Sequence, residues 1–274
     1  MNRAIELLRH AFTAPVDDRD PNSIDIEMLH ELAGPFDAAA TAWFKLQVDG
    51  WENVPAGCAL VVGNHNSGIT FIEAIGMGAR LYHTRGTDDL WHGLAHDSIV
   101  DMPGLGPFLV RIGAVRAGHD TAAKVFALGR KVVVFPGGNK EAFRPWTARN
   151  RAEFYGRTGF VKLAVRHQVP IVPMAFQGGH NGFMVLSRGE RFARVTGLRK
   201  LLRTDAWPLY LGLPWGVAFG PWFHLPLPVK VKVRFLEPIP TAGVSVDDAD
   251  AIAALGKLVE DRITAAIVAL SNET

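Results

Sequence analysis

The chain has 274 residues, of which 48% are hydrophobic and 20% charged, so it can bury a large core and is not expected to be disordered. Its formal net charge of +2 excludes a nucleic-acid binder that relies on bulk positive charge. Its single cysteine, Cys58, excludes an internal disulfide, and we expect a buried, inert thiol that is compatible with a reducing cytoplasm.

The predicted elements alternate between helices and strands. Helical spacing predicts helices over 1–12, 22–33 and 36–44, with a break at Gly34-Pro35. Short apolar runs then predict strands over 46–51, 59–62, 132–135 and 171–176, with a further candidate at 81–84. Between them, helices are predicted over 71–76, 121–128 and 157–167, with a helix or ordered loop at 105–112. This alternation predicts an α/β fold with a mostly parallel sheet flanked by helices.

Two C-terminal segments have a different composition. Residues 188–203 are strongly basic with one apolar face, which fits either a solvated surface helix or a helix on a membrane surface. Residues 206–228 combine three tryptophans with five prolines, which fits either a bilayer interface or an irregular loop packed on the core. The aromatic residues expected at a membrane are Trp215, Phe219 and Trp222.

An alternating strand over 230–235 and a closing helix over 247–270 complete the chain. We expect a single domain, with an N-terminal helical segment at 1–45, an α/β core at 46–240 and a C-terminal helix at 241–274. The charged N-terminus does not predict a secretory signal, and no run of about 20 apolar residues predicts a spanning helix.

Two predicted strands end in residues that are suited to chemistry. The strand at 59–62 leads into Gly63-Asn64-His65, and the strand at 132–135 leads into Pro136-Gly137-Gly138-Asn139-Lys140-Glu141. Ligands bind at the carboxyl ends of strands in α/β sheets, so we expect the histidine to face the glycine-rich turn. A neutral imidazole suits a general base, and backbone N–H groups suit an oxyanion, which together suggest group transfer to an oxygen nucleophile.

Four motifs in order resemble those of the glycerolipid acyltransferase family, which includes bacterial lysophosphatidate acyltransferases. The first is N-H-x-x-x-x-D and the third resembles F-P-E-G-T-R-S. The corresponding segments here are 64–70 for the first motif, 103–106 with 111–116 for the looser second, 135–141 for the third and 169–174 for the fourth. Order and spacing agree over residues 45–240, and the F-P-G-G form is similar to the branch that acylates neutral glycerides or other alcohols. The resemblance implies that His65 is the general base.

The first motif departs from the family at its aspartate, which is Thr70 here. In the family this aspartate orients the histidine and stabilises its charged form, whereas a threonine hydroxyl carries no charge. Glu73, one helical turn further on, either supplies the carboxylate or is an ordinary exposed helix residue. A third possibility is that the protein has lost activity.

The third motif has Gly137 where the family usually has glutamate, and Glu141 is expected to take over a polar role. Lys140 replaces the arginine that is thought to meet an acceptor phosphate, and a lysine lacks the bidentate fork of arginine. Arg116 and Arg144 either compensate or are ordinary surface arginines. The substrate-binding residues expected from the resemblance are Asn64, Arg116, Gly137, Gly138, Asn139, Lys140, Glu141 and Arg144.

The resemblance implies an O-acyltransferase that moves a fatty acyl group from acyl-CoA or acyl carrier protein to a lipid or glyceride hydroxyl. No bound cofactor or metal is expected, because His92 and His96 lack the rest of a zinc motif. The expected location is cytoplasmic and peripherally membrane-associated, with the membrane surface and the lipid acceptor as partners. Two alternatives stay open, namely a catalytically silent lipid-binding protein on the same fold and an acyl-thioester hydrolase.

Overall fold

A computed structural model of the chain describes residues 2–66, 68, 72–197, 207–220, 222 and 225–273. The strands in these ranges are β1 (Gln47–Asp49), β2 (Leu60–Gly63), β3 (Trp91–Ala95), β4 (Ala114–Arg116), β5 (Lys131–Val134), β6 (Ile171–Gln177), β7 (Met184–Ser187), β8 (Leu209–Gly212), β9 (Gly216–Phe219) and β10 (Lys232–Phe235). The main sheet of the described chain has the order β1-β10-β6-β2-β5-β3-β4, and its neighbours are parallel except for β10 with β6. The predicted mostly parallel sheet is therefore confirmed.

Helices cover both faces of this sheet. In the same ranges they are α1 (Asn2–Thr13), α2 (Ile26–Phe44), α3 (Ile72–Arg85), α4 (Asp97–Val100), α5 (Leu105–Arg111), α6 (His119–Ala127), α7 (Gly138–Ala142), α8 (Gly159–Arg166), α9 (Gly179–Gly182), α10 (Glu190–Val195) and α11 (Ala249–Asn272). Leu60 and Val62 of β2 belong to the core under α6, α8 and α11, whereas Val61 belongs to the core under α2 and α3. Burial on both faces explains why the central strands are almost wholly apolar.

The predicted helix break at Gly34-Pro35 is wrong, because α2 runs through both residues. A proline in a helix interior removes one backbone hydrogen bond and costs about 3 kcal/mol. Burial of apolar side chains on both sides of Pro35 outweighs this cost. An ion pair of 2.6 Å between Arg80 and Asp37 also holds the second half of α2 against α3.

The strand predicted at 81–84 is also wrong, because these residues form the last turns of α3. Leu81 and Tyr82 are both buried, and two adjacent apolar residues fit a helical face as well as a strand. The Tyr82 hydroxyl accepts from the N–H of Trp91 and donates to its carbonyl, at 3.2 and 3.1 Å, which fixes α3 to β3. The sequence analysis missed β3 and β4, which are short and have mixed polarity.

The aromatic segment contributes two strands to a second, smaller sheet. Strands β7, β8 and β9 pair antiparallel in that order, so the aromatic segment contains a hairpin and is not an irregular loop. Of the predicted basic helix, α10 covers Glu190–Val195, while 198–206 lie outside the described residues. Across the described chain, the helices are all too short or too polar to traverse a bilayer.

Candidate active site

The ends of β2 and β5 lie side by side and bring His65 to the glycine-rich turn. The two strands are parallel neighbours, with Val62 paired to Val134. The ring of His65 stacks on that of Phe135, with centroids 4.9 Å apart and planes inclined at 27°. The Phe135 ring can lie against the backbone of β2 because residue 63 is a glycine. A Cβ at this position would lie 2.7 Å from the ring. The geometry places a partly buried imidazole at the carboxyl edge of the sheet.

The glycine-rich turn is closed by its own backbone. The N–H of Gly138 donates to the carbonyl of Phe135 at 3.2 Å, and Gly138 has a φ of +56°, which favours glycine. Arg157 Nη1 donates to the carbonyl of Pro136 at 2.7 Å and would lie 2.7 Å from a Cβ at Gly138. The N–H of Gly138 is therefore used inside the turn.

One buried ion pair holds both peptide groups of His65. Glu141 is fully buried, and its Oε2 accepts a hydrogen bond from the N–H of His65 at 3.1 Å. Its Oε1 accepts from Arg144 Nη1 at 3.1 Å and from the N–H of Glu153 at 2.9 Å. Arg144, also fully buried, donates Nη2 to the carbonyl of His65 at 3.4 Å. The pair therefore fixes the backbone from which the imidazole projects.

Burial sets the electrostatics of this pair. Burial raises the pKa of the Glu141 carboxyl, and the charges of Arg144 and of a protonated His65 oppose the rise. Burial likewise lowers the pKa of the Arg144 guanidinium, and the Glu141 carboxylate opposes that change. Each charge thus depends on its partner, and removing one partner leaves the other buried and uncompensated.

Three residues expected to meet the acceptor bind other groups of the protein instead. Glu141 and Arg144 are occupied by the ion pair and by His65. Asn64 is fully buried and makes two hydrogen bonds with the backbone of Phe176, at 2.8 and 3.0 Å, so its amide extends the pairing of β2 with β6. This burial does not follow from the sequence, because burial at a strand end depends on the neighbouring strands.

Arg116 and Lys140 also have partners within the protein. Arg116 forms ion pairs with Asp18, Asp97 and Asp101 at the edge strand β4, which is three strands away from β2. Lys140 places its Nζ 5.7 Å from the centre of the Tyr155 ring and is partly exposed. Asn139 is partly exposed as well, in the first turn of α7. Of the expected substrate-binding residues, Glu141 and Arg144 contact His65 directly, whereas Arg116 lies at the far edge of the sheet.

A third strand end, which was not predicted from the sequence, also lies at this site. After β6, Gly178 adopts a φ of +100° and leads into α9, which contains His180. Burial and the nearby charge of Arg144 lower the pKa of His180 well below 6.5, while its contact with the His65 backbone opposes this. A Cβ at Gly179 would lie 2.7 Å from the carbonyl of Asn66. Gly178-Gly179-His180 directly follows a predicted buried strand, so the argument that selected His65 applies to it as well.

Thr70 lies outside the described residues, and so does the side chain of Glu73, whose backbone belongs to α3. The group that orients the imidazole therefore stays a prediction. The two histidines weighed for zinc have separate local roles. His92 lies in β3 within 3.3 Å of Arg130 Nη1, and His96 accepts from the N–H of Ser98 at the start of α4.

The smaller sheet exposes aromatic side chains. Trp215, Phe219 and Trp222 are 58%, 43% and 54% exposed, so they are not the packed core residues of the alternative considered above. Phe183 and Tyr210 lie fully buried in the same unit and form its core. The hairpin thus has a buried core and an exposed apolar surface.

Comparisons with known proteins agree with this fold. Residues 45–177 match the family model described as Acyltransferase. A crystal structure of the 1-acyl-sn-glycerophosphate (LPA) acyltransferase, PlsC, from Thermotoga maritima aligns with a TM-score of 0.54 and 18% identity, covering 90% of this chain and 81% of that one. At 18% identity the alignment is evidence for the fold alone.

Curated relatives cover most of this chain but are themselves longer. An uncharacterized protein of Mycobacterium tuberculosis is 32% identical over 210 residues, which are 76% of this chain and 56% of the relative. The Gallus gallus protein named "DGAT1/2-independent enzyme synthesizing storage lipids" is 28% identical over 215 residues, 78% of this chain and 57% of that protein. The chain thus spans a little over half the length of these relatives.

The resemblance to the glycerolipid acyltransferase family is confirmed by the match of residues 45–177 to the Acyltransferase family model. The mostly parallel, helix-flanked sheet of this chain is similar to that of the PlsC structure.

Proposed function

We propose that this protein transfers a fatty acyl group from an acyl thioester to a hydroxyl of a lipid or glyceride, with His65 as the general base. The observation that carries the proposal is the partly buried imidazole stacked on Phe135 at the glycine-rich turn, inside the residues that match the acyltransferase family. The donor is acyl-CoA or acyl carrier protein, and the chemistry requires no bound metal or redox cofactor.

The reaction consists of one acyl transfer. His65 removes the proton of the acceptor hydroxyl while its oxygen forms a bond to the thioester carbonyl carbon. The tetrahedral intermediate carries an oxyanion, to which the backbone N–H of Gly137 is our candidate donor. Collapse breaks the carbon–sulfur bond, and the imidazolium returns its proton to the departing thiolate. The products are an ester and a free thiol.

A neutral acceptor fits the charges around the site. Arg144 is neutralised by Glu141, and Arg116 by three carboxylates, so neither presents a free guanidinium to a phosphate. Lys140 would meet a phosphate only as a point charge, because a lysine lacks the bidentate hydrogen-bonding geometry of arginine. Relatives named for storage-lipid synthesis support the same choice. We therefore place a mono- or diacylglycerol, or another neutral alcohol, ahead of a lysophospholipid.

The exposed aromatics of the hairpin support a peripheral membrane association on the cytoplasmic face. Interfacial Trp and Phe side chains bury apolar area, and basic residues add about 1 kcal/mol each near an anionic surface. We expect the protein to co-sediment with anionic liposomes and to be released by salt. Replacing Trp215, Phe219 and Trp222 together by serine should weaken binding without lowering the melting temperature. Unchanged binding, or gross destabilisation, would assign these residues a structural role.

The function is tested with purified protein, acyl-CoA and a panel of acceptors consisting of lysophosphatidate, monoacylglycerol, diacylglycerol and a long-chain alcohol. We expect acceptor-dependent release of CoA with formation of the ester, and loss of this turnover in His65→Ala at an unchanged melting temperature. CoA release without an acceptor would indicate a hydrolase, and lipid binding without turnover a silent protein. A His65→Ala variant with wild-type turnover would exclude His65 as the base.

A further inference from the structure

The F-P-G-G sequence makes room for a carboxylate from the next helical turn. A Cβ added to Gly137 would lie 2.1 Å from Glu141 Oε2 and 2.4 Å from Glu141 Cβ. These separations are far below van der Waals contact, so a side chain at 137 and the observed position of Glu141 exclude each other. Glycine at 137 and glutamate at 141 therefore act as one unit, in which the carboxylate fills the space that a longer residue at 137 would need.

The Glu141 carboxylate is not a ligand for the substrate. Its side chain is fully buried, and the N–H of His65, the N–H of Glu153 and the guanidinium of Arg144 already occupy its oxygens at 2.9 to 3.1 Å. The N–H of His65 belongs to the segment that carries the imidazole, and Arg144 contacts that segment at the His65 carbonyl. The carboxylate thus acts on His65 from inside the protein.

We propose that Glu141 is a positioning residue for the general base, in that its carboxylate holds the peptide N–H of His65 and cancels the buried charge of Arg144 beside it. The proposal rests on His65 acting as the base. It differs from the Glu73 hypothesis in the origin of the negative charge, which here comes from the third motif.

The other groups around the pair leave this charge balance in place. The titratable and charged side chains that face it are His65, Arg149, Glu153, Tyr155 and His180. Burial lowers the pKa of His180 well below 6.5, which favours its neutral form. Glu153 is compensated by its ion pairs with Arg151 and Arg188. A Glu141 variant without the carboxylate would leave Arg144 as an uncompensated cation 3.4 Å from the His65 carbonyl.

The test measures kcat/KM from pH 5 to 9 in the full-length protein, with palmitoyl-CoA and monoacylglycerol, for three variants. In Glu141→Gln the unbalanced Arg144 disfavours the imidazolium, so the midpoint of the acidic limb should move about one pH unit lower. In Arg144→Met the unbalanced carboxylate should move it in the opposite direction. In the double variant, which has neither charge, the midpoint should return to the wild-type value.

A purely structural role for Glu141 would lower turnover but would not move the acidic limb. The proposal is overturned if the midpoint of the acidic limb is unchanged in each folded variant that carries one substitution. It is also overturned if Glu141→Gln and Arg144→Met shift this midpoint in the same direction. Circular dichroism and thermal melts establish folding. If both single variants fail to fold, a folded double variant with a wild-type limb supports the proposal, whereas an unfolded or shifted double variant overturns it. Loss of turnover in His65→Ala, measured alongside, tests the proposed function separately.

Discussion

Gly63→Ala is predicted to damage the active site more than it damages the fold. The added methyl carbon would lie 2.7 Å from Phe135 Cε1 and 3.0 Å from Met174 Cε, whereas carbon atoms pack at about 3.5–4.0 Å. The Phe135 ring must therefore move by about 1 Å, and the His65 ring stacks on it at 4.9 Å. Overpacking of this kind costs about 1–3 kcal/mol. A misplacement of about 1 Å at the reacting groups costs roughly 100-fold in rate.

The measurement combines acceptor-dependent CoA release with thermal unfolding. We expect kcat/KM to fall by about two orders of magnitude, while the melting temperature falls by only a few degrees. Gly93→Ala in β3 is the matched control, because a Cβ there would have no atom within 4 Å and both properties should stay unchanged. Wild-type kcat/KM in Gly63→Ala, or an equal loss in the control, would show that the contact of Phe135 with the histidine has no role in the reaction.

Three further predictions concern stability. Because burial lowers the pKa of His180 well below 6.5, the unfolded chain binds its proton more tightly, so stability is complete above pH 6.5 and falls below it by up to about 1.4 kcal/mol per pH unit. The melting temperature of the wild type should therefore drop more steeply from pH 7 to 5.5 than that of His180→Phe, and parallel curves would contradict this. Pro35→Ala should stabilise α2 by about 1–3 kcal/mol, since Pro35 is exposed and its ring contributes little packing, and a lower urea midpoint would be evidence against that. Arg116→Gln should lower the melting temperature without changing the acceptor KM, whereas a raised KM at unchanged stability would return Arg116 to substrate binding.

The sheet was predictable because its central strands are buried on both faces. The strands at β2, β5 and β6 are short apolar runs between turn residues, and no other element type fits them well. The failures have a different physical origin. Pro35 is tolerated in α2 because of packing against α3, and packing cannot be read from local propensity. The few residues of β4 form a strand because their backbone pairs with that of β3. This pairing leaves no strong pattern in the sequence of β4.

The candidate site was predictable at its centre and less so around it. The position of His65 beside Phe135 follows from two parallel strands that end together. The burial of Asn64 and Arg144 does not follow, because both resemble exposed polar residues in a loop. Asn64 is buried by its contact with β6, which is distant from it in sequence. Arg144 is buried in its ion pair with Glu141, which lies on the opposite side of a turn. The contact of Glu141 with the backbone of His65 does not follow from the sequence either, because it depends on the space that Gly137 leaves.

The order of the main sheet has a consequence for the synthesis of the chain. Strand β10 is the last strand in sequence but lies between β1 and β6, so Asp49 pairs with Arg234, 185 residues later. At about 5–20 residues per second, a ribosome needs roughly 10–40 s to make the residues that separate these partners. During this time β1 has no neighbour, and once β6 has been made its edge also stays uncovered until β10 follows. An uncovered edge is a template for pairing with other chains. We therefore expect nascent chains halted before residue 232 to need a chaperone, and chains extended beyond residue 235 to release it.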